Sequence, residues 1–174
     1  MSSFSAMVET EIADTQAAVF EYIVPIDLPL IFTGYGPLPA VNGVQNQTGG
    51  WNKAGQTRTV TLSDGSTARE LLTKYDHPHY FSYTVSDFSG VLRFLTISAN
   101  GEWWFKTNQS SGATSVKWSY SFNSRSLLTS PVLWFITSLL WRGYMNKAIK
   151  LCKLHIENKT AQPSLPADAR TSRG

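Results

Sequence analysis

The sequence predicts an α+β fold: one strand, two short helices, six further strands and a long C-terminal helix. Three observations carry that expectation. Phe4–Ile12 alternates apolar and polar residues, and from Gln56 to Asn123 the same period of two recurs in segment after segment. After Ser126 the alternation stops and an apolar stretch begins, a helix that Ser130 caps and Pro131 opens at its first position.

Each element has its own signal. Phe4, Ala6, Val8 and Ile12 share one face of the first strand. Asp14 or Thr15 then caps a short helix over QAAVFEYI, with Val19, Phe20 and Ile23 as its apolar stripe and Pro25 as its end. IDLPLIF suits a second short helix capped by Asp27, with Pro29 tolerated in the first turn. GYGPLP (Gly34–Pro39) reads as a loop. Six strands follow: a weak one over Val41–Thr48, then Gln56–Leu62, Thr67–Tyr75, Tyr80–Ser86, Arg93–Thr107 and Thr114–Asn123. DHPH (Asp76–His79) and NQSSGA (Asn108–Ala113) supply turns. The last helix is expected to run to about Glu157. The expected organisation is therefore one domain over residues 1–158 and a disordered tail over 159–174.

Composition excludes several classes of function. Hydrophobic residues make up 42% of the 174 and charged ones 16%, the balance of a chain with a real core. Of the formal +3 charge, Lys159, Arg170 and Arg173 against Asp168 put +2 in the tail, which leaves +1 for the body. A near-neutral body argues against nucleic acid as a partner. Cys152 is the single cysteine, so no internal disulfide forms, and it has no evident partner base. His77 and His79 flank Pro78 without a third ligand nearby, so no metal is expected, and no motif calls for a cofactor. His155 falls near the apolar stripe of the last helix and reads as a packed side chain. No basic-then-apolar segment opens the sequence, and the expected location is the cytoplasm.

The order of elements, together with GQTRTVTLSDGSTARELLTKYDHP, YFSYTV and TSVKWSYSF ahead of the last helix, resembles the START-like or birch-pollen-allergen-like superfamily. Within it the sequence is similar to the polyketide cyclase/dehydrase and lipid-transport group, written SRPBCC, over roughly residues 5–157. The resemblance implies a helix-grip fold, in which a curved antiparallel sheet wraps the long helix around an internal cavity. It also implies either binding and transport of a small hydrophobic molecule or chemistry on one.

Strand parity indicates what faces such an interior. A three-residue loop Ser63-Asp64-Gly65 sets Arg58 opposite Glu70 on the side of Val60, Leu62, Ala68 and Leu72. A two-residue Asp64-Gly65 loop would put the two charges on opposite faces. The longer loop is expected because it unites the apolar residues. Phe81, Tyr83 and Val85 share a face, and pairing the last two strands sets Trp103 across from Trp118 and Gly101 across from Tyr120. Trp104 should point the other way.

The candidate ligand-binding residues are thus Arg58, Glu70, Phe81, Tyr83, Trp103, Trp118 and Tyr120. Arg58 and Glu70 read either as a structural bridge or as a site in which Glu70 holds a guanidinium fork toward an oxyanion. Three functions follow. The first is a binding or transfer protein for a lipid, polyketide or aromatic compound. The second is a cyclase or aromatase using Arg58, Glu70 and a pocket tyrosine such as Tyr83. The third is a partner-binding module. The uncharged run Ser126–Trp141 is too short to span a bilayer. Val132, Phe135 and Leu139 fall on its otherwise polar side, as core residues or as an exposed portal that touches a membrane transiently.

Overall fold

The computed structural model describes residues 2–161. Strand β1 (Ser3–Ile12) leads into α1 (Gln16–Ile23), where the Thr15 hydroxyl accepts a hydrogen bond from the Ala18 amide. The expected second helix is a single 3-10 turn, Leu28–Leu30. Then come β2 (Val41–Gln45), β3 (Thr57–Leu62), β4 (Thr67–Asp76), β5 (Tyr80–Ser86), a short helix α2 (Leu92–Leu95), β6 (Thr96–Thr107) and β7 (Thr114–Ser124). The C-terminal helix is built from α3 (Ser130–Phe135), a wide π turn (Ile136–Trp141) and α4 (Arg142–Ala161).

All seven strands form one antiparallel sheet in the order β1-β7-β6-β5-β4-β3-β2. The sheet curves around the long C-terminal helix, which is the helix-grip arrangement. β1 and β2 hold opposite edges although they are consecutive strands, so α1 and the 3-10 turn carry the chain across the open end of the sheet. Gln16 fastens that crossing. Its Nε2 donates to the carbonyls of Pro78 and Phe105 at 3.1 and 3.0 Å, and its Oε1 accepts from the amide and hydroxyl of Thr107. Phe20, fully buried, meets Tyr75, His77, Phe81 and Phe105 edge to face. α4 lies across β1 with Met145, Ala148, Ile149, Cys152 and Ile156 inward, the spacing of one helical face.

Four expectations are corrected. Arg93–Leu95 is not strand: residues 92–95 turn into α2, and a bulge between Thr96 and Ser98 then reverses the parity of the strand's first residues. Ile97 consequently points outward, 40% exposed, while Thr96 is buried and its hydroxyl donates to the Ser98 and Asn123 carbonyls. Ser130 is the first helical residue rather than the cap, because Thr129 closes the first turn through its carbonyl to the Leu133 amide. The helix is not a single regular one. At Ile136–Trp141 it widens, and the Thr137 hydroxyl donates to the Leu133 carbonyl at 2.7 Å. Finally, Lys159, Thr160 and Ala161 are helical; the rest of the expected tail lies outside the described residues.

The later hairpins pair as the alternation predicts. Trp103 lies opposite Trp118 and Gly101 opposite Tyr120, while Trp104 sits on the outer face against Tyr80 and Lys117. Gly101 leaves room for the buried Tyr83 ring, which a Cβ there would overlap. Gly143 on α4 does the same for the half-exposed ring of Tyr35. These two glycines differ in what can yield. Gly101→Ala is expected to lower stability by about 1–3 kcal/mol, because the buried Tyr83 ring must leave its place over the glycine and shift toward the pocket. Gly143→Ala should be near neutral or stabilising by up to about 1 kcal/mol, since Tyr35 can swing outward and alanine favours the helix. Urea unfolding of the two variants checks the ranking.

Candidate ligand pocket

The β3–β4 hairpin fixes the charged pair. Gly65 adopts φ +80°, its amide donates to the Leu62 carbonyl at 3.0 Å, and the Leu62 amide donates to the Ser66 carbonyl at 2.9 Å. Asp64 Oδ1 accepts from the Ser66 amide and hydroxyl, and the hydroxyl bond above all holds its carboxyl below the usual range. The loop therefore has three residues, and Arg58 pairs with Glu70 across the ladder. Both side chains are buried, and Arg58 Nε donates to Glu70 Oε2 at 2.6 Å.

Arg58 has a second partner. Its guanidinium lies 4.0 Å from the centre of the Trp51 ring, and Trp51 is only 1% exposed. The loop between β2 and β3 is shaped to deliver that ring. Trp51 itself has φ +56°, Gly49 and Gly55 are also left-handed, and Gln56 Oε1 accepts from the Asn52 and Lys53 amides. The sequence shows GGW but offers nothing to indicate that Trp51 folds back over β3 onto Arg58.

Between the concave face of the sheet and the C-terminal helix lies a pocket of about 360 Å³. From the sheet it is lined by Val60, Ala68, Glu70, Tyr83, Val85 and Tyr120. From the helix it is lined by Ile136, Leu140, Trp141 and Tyr144. Phe88, Val91, Leu92 and Leu95 form one side, and Pro37, Leu38 and Pro39 of the GYGPLP loop form another. That loop is bolted to α4: the Tyr144 hydroxyl donates to the Pro39 carbonyl at 2.7 Å and Lys147 Nζ to the Gly34 carbonyl at 2.8 Å.

Of the residues expected at a site, Glu70, Tyr83 and Tyr120 line this pocket, whereas Arg58, Phe81, Trp103 and Trp118 do not. The last three face inward but fill their space with one another. Phe81 stacks on Trp103 at 5.8 Å, and Trp103 stacks on Trp118 at 4.5 Å, with ring planes 10° and 14° apart. Arg58 is shut behind Glu70 and Trp51. Arg58 itself does not line the pocket; the Glu70 carboxylate does, with its Oε2 committed to Arg58, and Asp64, Ser66, Thr67 and Ser89 add polar groups toward the β3–β4 turn. Tyr144, Trp141 and the 88–95 segment were missed by strand parity, because they come from helix and loop.

His77 and His79 are occupied elsewhere, His77 Nε2 with Glu21 at 3.0 Å and His79 Nδ1 with Gln16 at 2.7 Å. His155 is half-buried, with Nδ1 enclosed and without a partner among the described residues. No cluster of three or more His, Cys, Asp or Glu side chains forms among the described residues. Burial pushes the Cys152 thiol up to about 12, which removes it as a nucleophile. Burial also pushes up Tyr83 and Tyr120, assisted at Tyr83 by the Glu70 carboxylate and at Tyr120 by Tyr83 and then Glu70. Tyr144 rises to about 12 through burial. All three phenols thus enter neutral-pH chemistry as protonated hydroxyls.

The architecture has relatives among solved structures. No family model matches the sequence, and no curated protein matches it. XoxI from Bacillus cereus superposes with a TM-score of 0.64 at 16% identity, over 90% of this chain and 98% of that one. Ginseng major latex-like protein 151 from Panax ginseng gives 0.63 at 15% identity, over 88% and 97%. Ara h 8.0201 gives 0.61 at 15%, over 90% and 99%. The fold is therefore the START-like, birch-pollen-allergen-like one that the sequence resembles.

Two outcomes follow for the groups around the pocket. Arg58→Ala leaves Glu70 without its partner and is expected to cost about 3–5 kcal/mol, whereas Arg58→Met combined with Glu70→Leu should recover most of that loss. Chemical denaturation of the three proteins measures it. The tyrosines set an alkaline limit. Their folded pKa values lie above the ~10 of an unfolded tyrosine, so their contribution is complete below pH ~10 and is lost as pH rises beyond it. Absorbance of phenolate should then appear for Tyr83 and Tyr120 together with loss of near-ultraviolet dichroism, not before it.

Proposed function

We propose that this protein binds one small hydrophobic molecule in the pocket, as a binding or transfer protein. The fold is known for holding hydrophobic ligands, and the pocket's walls are apolar over most of their extent. At about 360 Å³ the space lies near the lower end of the ~300–1,000 Å³ typical of small-molecule sites, which suits a ring system or a single short chain.

The observation that carries the reading further is the arrangement at the inner end. Glu70 lines the pocket while its arginine does not, and the protonated phenols Tyr83 and Tyr120 line it as well. A ligand's polar tip at Glu70 meets a group that only accepts hydrogen bonds. A hydroxyl or phenol is matched; a carboxylate is set against Glu70 with no guanidinium within reach.

Calorimetry with matched pairs, an alcohol or phenol against the carboxylate of the same skeleton, tests this. The hydroxyl compound should bind at least about tenfold more tightly, and Glu70→Gln should narrow the gap. Equal or reversed preference would return Arg58 to the site, and absence of any binding across apolar compounds would reject the pocket's role. Cyclase-type chemistry would have to run on Glu70 and a pocket tyrosine, without Arg58 at the wall. Conversion of a bound compound, abolished by Glu70→Gln with binding kept, would assign catalysis.

A further inference from the structure

The surface beside the pocket has a character that ligand binding does not explain. Leu127 and Leu128 are 77% and 91% exposed, and Val132, Phe135 and Leu139 of the C-terminal helix are half-exposed or more. Phe94 of α2, packed beside α3, joins them. The two leucines are not at the end of a loose loop. The Ser126 carbonyl accepts from the hydroxyls of Ser124, Thr129 and Ser130, and the Arg125 amide donates to the Leu95 carbonyl at 3.0 Å. The turn is held in shape while its apolar tips face solvent. Contiguous apolar surface of this kind marks a contact with another phase or another molecule.

Charge decides which. From Trp103 to Ile156 the sequence has no carboxylate at all, while Lys106, Lys117, Arg125, Arg142, Lys147, Lys150 and Lys153 are cationic. Arg93, Arg125 and Arg142 are exposed and belong to the segments that carry the apolar residues, Arg93 lying over the Phe94 ring at 4.4 Å. Asp64 and Asp87 sit on neighbouring turns rather than on those segments; Asp64 also lines the pocket, so the three arginines are set against a single carboxylate from the β3–β4 turn. A second copy docked through the same face by two-fold symmetry would set one cationic rim against another. An anionic surface pairs with every one of them.

We propose that this rim, Leu127, Leu128, Val132, Phe135, Leu139 and Phe94 with Arg93, Arg125 and Arg142, docks on an anionic phospholipid bilayer. No helix among the described residues is long and apolar enough to cross a membrane, so the contact is with the surface. The leucines enter the headgroup–acyl boundary and the arginines meet the phosphates. The pocket lies against the same face, since Val91, Leu92 and Leu95 on one side and Ile136 and Leu140 on the other line it. Docked, the pocket's mouth is turned toward the lipid phase, where a water-insoluble ligand resides.

Vesicle flotation of the full chain tests the docking, and it reads attachment whether or not the pocket holds a ligand. Vesicles of phosphatidylcholine mixed with phosphatidylglycerol should carry the protein, and those of phosphatidylcholine alone should carry much less. Salt should weaken binding, and Arg93→Gln or Arg125→Gln should weaken it roughly fivefold each. Leu127→Ser with Leu128→Ser should reduce it by about tenfold or more, with the thermal melt unchanged because both side chains are solvated. Fluorescence of the half-exposed Trp134 should shift to the blue on the mixed vesicles. Equal recovery on both kinds of vesicle, or no response to the leucine and arginine substitutions, overturns the proposal. A concentration-dependent dimer in light scattering, abolished by the leucine pair while vesicles are ignored, assigns the face to a second copy instead.

Discussion

The register of one hairpin determines which side of the sheet carries a charge. Gly65, at φ +80°, closes a three-residue turn, and every pairing from Thr61–Thr67 to Thr57–Leu71 follows from it. A turn shorter by one residue would bring Glu70 to the convex face and leave Arg58 buried alone. Trp51 would then cover an uncompensated cation. The left-handed residue is thus the first of a series of dependencies: turn, register, ion pair, stacked indole and the polar end of the pocket.

Regular strands were legible because alternation is a local property, and the sheet enforces it over long stretches. From Ala99 to Thr107 and from Thr114 to Asn123 every residue takes the side that its parity assigns. What was not legible comes from departures of a single residue. The bulge at Thr96–Ser98 turns Ile97 outward, and the wide turn at Ile136–Trp141 changes the phase of a helix that would otherwise be read as continuous. Neither has a compositional mark. Parity also tells which face a side chain occupies but not its depth along that face. Phe81 and Tyr83 are on the same face of β5, yet one is locked in a stack and the other borders the pocket. Trp51 was hidden for another reason: its contact with Arg58 depends on left-handed backbone in a loop without periodicity.

Burying both members of the ion pair gives the interior a directional polarity at little net charge. Arg58 is bound by Glu70 through Nε and stacked on Trp51, so the carboxylate on the pocket wall is an acceptor accompanied by phenols that stay protonated. The stacked Phe81, Trp103 and Trp118 fill the neighbouring part of the same concave face, so the open volume is confined to the side that Glu70 lines. Recognition by such a site rests on hydrogen-bond direction more than on charge.

The π turn gives the C-terminal helix two phases. One extra residue in a turn rotates everything beyond it by roughly 100° relative to a regular helix. On the α4 side, Met145, Ala148, Ile149 and Cys152 are committed to the sheet and cannot turn without emptying the core. On the other side, Ile136 and Leu140 meet the pocket while Val132, Phe135 and Leu139 meet solvent. The wide turn is therefore a phase adjuster between a half seated on the sheet along its length and a half held only by Leu133 and Thr137 on its inner side. Gain or loss of a single residue there would re-aim the lip of the pocket while the anchor stays seated, so descendants of this chain can vary the entrance far more cheaply than the floor.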